Sequence, residues 1–170
     1  MKNIGNFNNV NDYLPLLNAV LITDLFVITL SNIGFIQSKV LKKWYSNYNL
    51  SAVIADVLVI VLVLILTRFL YYYLFNTFSL VKFIGLAVAL QIIHDISFYL
   101  FVTSVPRGVN RMLDTFKDYG AEVSYKAILS DSGMMIMASL LATYLVNQST
   151  NTNMIVLIFF TYLLPYLLYN

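Results

Sequence analysis

Gln91, His94 and Asp95 are hydrogen-bonding or ionisable groups set inside an apolar run, and His94 is the only histidine of the chain. On a helix they fall within about 100 degrees of one another, which makes them a single polar stripe. An ionisable group in the bilayer interior costs at least roughly 2–3 kcal/mol, so such a stripe faces protein and finds partners there. The partners expected by depth are Asp56, Ser130 and Asp131. Taking about 1.5 Å of rise per residue, Asp56 and Asp131 lie one to two turns, and Asp95 two to three turns, from the same membrane face. Asp24 is expected to stand apart, entering from the opposite face.

Three chemistries fit this cluster. In the leading one it is structural: the aspartates are protonated or bonded to Ser, Thr and His, and fix the packing of the helices. Interhelical hydrogen bonds in membranes contribute about 0.6–2 kcal/mol each, so several of them matter. In the second, the acids and His94 form a proton or cation path, because burial and mutual repulsion bring carboxyl groups toward neutral pH. In the third, a small intramembrane enzyme acts on lipid. Ser130 or Ser132 would then be the nucleophile with His94 as base and Asp56 as orienter, or paired acids would hold a divalent ion. Neither catalytic arrangement has a specific motif, and neighbouring helical positions such as His94 and Asp95 orient each other poorly. No catalytic residue, metal ligand or cofactor is therefore assigned. Met134, Met135 and Met137 read as core packing rather than as a soft-metal site, since there is no cysteine and the histidine is distant in sequence.

These groups require helices to hold them. Sixty per cent of the chain is hydrophobic and 11 per cent charged, against about a quarter charged in soluble domains. Stretches such as residues 57–66 are continuously apolar, which excludes the alternating strands of a membrane barrel. The fold class is all-α: a polytopic transmembrane bundle forming one domain, residues 1–170, with spans at about 16–36, 50–75, 78–104, 126–146 and 154–168. The last of these is short and contains Pro165, and four spans result if it does not cross. Val109, Met112, Leu113, Phe116, Tyr119 and Val123 recur at helical spacing opposite charged residues, which predicts an interfacial helix at about 107–120, ended or bent by Gly120. Of its basic residues, Arg107 or Arg111 is expected to pair with Asp114 or Asp118 on a solvated surface. Residues 37–49, with lysines beside Trp44, Tyr45 and Tyr48, read as a membrane-water boundary, and Arg68 as a residue snorkelling out of the second span.

Basic residues concentrate in the first-to-second and third-to-fourth connections, which places the amino terminus outside and the carboxyl terminus in the cytoplasm for five spans. The expected partners are the lipid bilayer and, for a conduction path, further copies of the chain. Gly85 and Ala89 form a small-x-x-x-small pair suited to close helix contact. A net charge of +2 with no basic stripe argues against nucleic acid. The amino terminus lacks the pattern of a cleaved signal peptide, so the first span is expected to direct insertion. Asn147-Gln148-Ser149 would be an external glycosylation acceptor.

An echo runs through the first four spans: Leu21-Ile22-Thr23-Asp24, Val53-Ile54-Ala55-Asp56, Ile92-Ile93-His94-Asp95 and Ile128-Leu129-Ser130-Asp131, at spacings that fit one helix and one connection per unit. The strings Gln91-Ile92-Ile93-His94-Asp95, Pro106-Arg107-Gly108, Asn110-Arg111-Met112, Phe116-Lys117-Asp118-Tyr119 and Ser130-Asp131-Ser132 cover a quarter to a third of the chain by rough count. With the abundance of Asn, Ile and Tyr, this segment resembles multi-span membrane proteins of nucleocytoplasmic large DNA viruses. The resemblance implies residence in an internal virion membrane or a host-cell membrane, and brings no reaction with it.

Overall fold

The structure is a computed structural model that describes residues 2–169. After a short 3-10 turn at Val10–Asp12, seven helices follow: α1 (Tyr13–Asn32), α2 (Lys39–Tyr48), α3 (Leu50–Leu74), α4 (Leu80–Ser104), α5 (Arg111–Val123), α6 (Lys126–Leu145) and α7 (Thr150–Leu168). Five are long and apolar enough to cross a membrane: Val10–Asn32 with its leading turn, then α3, α4, α6 and α7. The protein is an all-helical, membrane-integral bundle. Its exposed surface is rich in large apolar side chains such as Leu58, Leu62, Ile93, Leu100, Ile158 and Phe159, as lipid-facing helices require.

Four of the long helices close into a ring, with α1 against α3, α3 against α4, α4 against α6 and α6 against α1, while α7 packs outside on α1. Buried positions on α6 are small (Ala138, Ser139, Ala142, Thr143), which lets α1 approach closely. The two amphipathic helices, α2 and α5, pack on each other at one end of the ring.

The chain order contains a repeat of a different size from the one the aspartate echo suggests. A span, an amphipathic helix and a second span occur twice, as α1–α2–α3 and as α4–α5–α6. Ser38 and Asn110 cap the two amphipathic helices, accepting backbone N–H bonds from Leu41 and from Met112 and Leu113. Asn49 and Ser124 end them with positive φ of 47° and 51°, each passing within a residue or two into the next span. The strings Ala52-Val53-Ile54-Ala55-Asp56 and Ala127-Ile128-Leu129-Ser130-Asp131 then correspond, as do Asp24 and Asp95. The ring contacts follow the same correspondence: α1 meets α3 as α4 meets α6, and α1 meets α6 as α4 meets α3.

Several boundaries differ from the sequence expectation, each for a physical reason. The first span runs from Tyr13 to Asn32 rather than over 16–36. Pro15 fits its first turn, and Gly34, at φ 78°, closes it with Phe35 N–H donating back to Leu30 O (2.9 Å), a glycine-terminated cap. The interfacial helix spans Arg111–Val123; Gly120 lies inside it, against the Tyr99 ring, and Ser124 ends it. Residues 39–48 are a second amphipathic helix, not a boundary loop. The last span begins at Thr150, capped by Ser149, because Asn153 is wanted inside the bundle. Gly85 has nothing within 4 Å of where a Cβ would stand, so its pairing with Ala89 is not used inside the chain. Arg107 pairs with Asp118 at 2.8 Å on an exposed surface, as expected.

Arg68 does not snorkel. Its side chain is wholly buried beneath the amino-terminal segment, donating to the carbonyls of Asn6 and Asn9 and pairing with Asp12 at 3.3 Å, with the guanidinium over the Tyr13 ring. Nearby, Asn18 Nδ2 donates to Asn153 O (2.8 Å), and Asn153 Nδ2 donates to Leu145 O (3.0 Å). These bonds sew α1, α3, α6 and α7 together at the end opposite α2 and α5.

Candidate functional site

A chamber of about 660 Å³, partly open to the outside, lies in the ring at the end covered by α2 and α5. Asp56, Gln91, His94, Asp95, Ser130 and Asp131, the six residues that the sequence reading groups together, all line it. So does Asp24, which the sequence reading sets apart. The shifted boundary of α1 accounts for this: with the helix ending at Asn32, Asp24 stands about two turns from the covered end. One aspartate thus comes from each ring helix, and α7, outside the ring, contributes none.

The first pair of acids is held by α2. Trp44 Nε1 donates to Asp56 Oδ2 at 2.9 Å, and the Tyr45 hydroxyl donates to Asp24 Oδ1 at 3.3 Å. The second pair is held differently. Asp95 accepts from Gln91 Nε2 at 2.7 Å and contacts His94 Nδ1 at 3.2 Å, both on its own helix. No side-chain hydrogen bond reaches Asp131 among the described residues. Among the described residues, three buried acceptor atoms that belong to chamber-lining side chains have no hydrogen-bond partner: Asp24 Oδ2, Asp95 Oδ2 and Gln91 Oε1.

The cover is tied down by groups from both amphipathic helices. Trp44 and Phe116, at corresponding positions of α2 and α5, touch with centroids 4.6 Å apart. Tyr48 bonds Thr115 through their hydroxyls (2.9 Å), and the Glu122 carboxylate accepts from Lys39 N–H and Val40 N–H, both at 2.8 Å. Burial would raise the Glu122 carboxyl, but the two amides, the Ser38 hydroxyl and the Lys39 charge together bring it below its ordinary value. Tyr119, also on α5, lines the chamber. Burial pushes its hydroxyl well up, and negative charge at Asp131, Asp56, Glu122 and Asp95 adds to this, so it remains an O–H donor.

Arg107 and Arg111 do not line the chamber, and among the described residues no lysine or arginine does. The serine arrangement does not assemble either. His94 turns to Asp95, Asp56 is taken by Trp44, and Ser132 is not on the chamber wall. No three His, Asp or Glu side chains among the described residues converge closely enough to hold a metal ion. Met135 is fully buried in the core.

Trp44, Tyr45 and Tyr119 are chamber-lining residues that the sequence did not single out. The usable signal was the parallel register of Val40-Leu41-Lys42-Lys43-Trp44 and Met112-Leu113-Asp114-Thr115-Phe116, which marks α2 as a second helix of the same kind as α5. Fold and site together define a polytopic membrane protein with an acidic, partly aromatic chamber at the centre of a four-helix ring. Comparison with known protein families, curated proteins and solved structures gives no match.

Proposed function

We propose that this protein takes up a positively charged solute in the acidic chamber of its ring. The observation that carries the reading is that four carboxyl groups, one per ring helix, share one chamber with no lysine or arginine among the described lining residues. Like charges in a low-dielectric site are relieved by a proton or a cation. Basic residues set the orientation: Lys39, Lys42, Lys43, Arg107, Arg111, Lys117 and Lys126 lie at the chamber end, against Lys2, Arg68 and Lys82 at the other, so the chamber faces the cytoplasm. Two successive span–amphipathic helix–span units resemble the parallel repeats that some carriers use, with the site at the repeat interface. Residence in a virion or host-cell membrane rests on the resemblance of residues 91–132 alone.

The second reading, in which the acids organise packing, draws support from Trp44–Asp56 and Tyr45–Asp24, which pin α2 to α3 and α1. Flux of protons and monovalent cations into liposomes containing the purified protein separates the two. Cation uptake predicts flux in the natural protein that disappears in Asp95→Asn while the thermal unfolding midpoint holds. Equal flux in both, or none in either with a lowered midpoint in the variant, would leave the packing reading in its place.

A further inference from the structure

We infer that the solute is a small organic ammonium ion with an apolar body, its charge met by the two open acids of the chamber wall, Asp95 and Asp131. This deepens the cation-uptake reading and rests on it. Size is the first argument. A chamber of about 660 Å³ falls within the range of roughly 300–1,000 Å³ typical of small-molecule pockets, and the carboxylates are spread around it rather than gathered as metal ligands.

The wall gives the second argument. Between the acids lie Val59, Ile60, Ile96, Phe98, Phe116 and Met134. A hydrated inorganic ion leaves that surface unsatisfied, whereas an alkyl or aryl body covers it. Aromatic rings beside the acids, Trp44 against Phe116 at 4.6 Å and Phe98 edge-on to Phe116 at 5.1 Å, add attraction for an organic cation.

The open acids give the third argument. Asp131 lines the chamber with no side-chain hydrogen bond among the described residues, and Asp95, also on the wall, is met only by Gln91 and His94 of its own helix. A carboxylate set in an apolar wall without a donor favours one. A primary ammonium carries three N–H groups and one charge.

Trp44 is the only tryptophan and lines the chamber, so its emission reports occupancy. The test adds phenethylammonium to the full-length protein in detergent micelles near neutral pH, beside its neutral isostere 2-phenylethanol and the chlorides of sodium and potassium. The expected result is a saturable change in Trp44 emission with phenethylammonium and binding weaker by roughly ten- to a hundredfold with phenylethanol. Asp95→Asn and, separately, Asp131→Asn should weaken the ammonium by about tenfold, with circular dichroism showing that each still folds. Equal binding of the two isosteres, or undiminished binding in both variants, overturns the inference. Liposome flux and emission changes with sodium or potassium, but none with phenethylammonium, overturn the organic class and leave cation uptake standing. Silence from every cation, with no flux, overturns both.

Discussion

The two units of the repeat place corresponding residues in unequal circumstances. In the first unit, Trp44 donates to Asp56 and Tyr45 to Asp24, so both acids are held by α2. In the second, Phe116 stands where Trp44 does and has no N–H to offer. Lys117, which corresponds to Tyr45, turns away to Val105 O and Asp114. Asp131 is left without a side-chain hydrogen bond among the described residues, and Asp95 is met only from its own helix. The same backbone plan and the same four acids therefore give one anchored pair and one open pair. Anchored acids hold the cover in place; on the proposed reading, the open acids are the ones left for a solute. The opposite end of the ring offers a second contrast, since Arg68, Asp12, Asn18 and Asn153 are bonded to protein there.

The largest expected asymmetry lies at the two rings. Trp44→Ala removes a side chain 4% exposed together with the donor to Asp56, and should cost about 3–5 kcal/mol of stability. Phe116→Ala, at a half-buried ring with no hydrogen bond, should cost about 1–3 kcal/mol. Equilibrium unfolding in mixed micelles reads both. Equal losses would mean that the anchoring of α2 contributes nothing beyond packing.

The acids provide the next comparison. Asp56→Leu leaves the Trp44 N–H buried without an acceptor, at about 1–3 kcal/mol. Asp131→Leu takes away a group with no bonded partner and should lie within about 0.5 kcal/mol of the natural protein, or stabilise it. For liposome uptake the ranking reverses: Asp131→Leu should abolish it, whereas Asp56→Leu, if folded, should retain a measurable part. A common ranking in stability and uptake would erase the distinction between anchored and open acids.

How much of this was legible in the sequence follows from what each feature depends on. The five crossings need only hydropathy and length, and residues 50–75 and 78–104 differ from the observed helices by at most two residues at either end. The grouping of Asp56, Gln91, His94, Asp95, Ser130 and Asp131 followed from the cost of charge in lipid combined with depth, and the chamber contains them all. Asp24 was misplaced because its depth depended on where α1 stops, and that is decided by the Gly34 cap rather than by hydropathy. Arg68 was read as snorkelling because no local pattern tells that residues 6–12 fold back over it. The repeat was visible only as four aspartates; its true unit needed α2 as a helix, and lysines interleaved with aromatics hid its apolar face.

The smallest effect lies where the two units touch. Glu122 of α5 places its carboxylate on the first-turn amides of α2, Lys39 and Val40, a position where negative charge also meets the positive end of the helix. Because its folded pKa lies below the ordinary value, about 4.3 for a free glutamate, the contact is fully present above that value and is lost as pH falls through the lowered folded one. Acid should therefore loosen the cover without disturbing the Arg68 and Asn153 end. Glu122→Gln should reproduce the loosened state at neutral pH, since it keeps one acceptor and discards the charge. Hydrogen exchange at the Lys39 and Val40 amides, corrected for intrinsic rates, should quicken by roughly two- to fivefold in the variant. The same change should appear in the natural protein only under acid, and the variant should show no further acid response. Acid loosening of equal size in both proteins would place the sensitive group elsewhere, and the contact between the two units would then rest on Trp44, Phe116, Tyr48 and Thr115 alone.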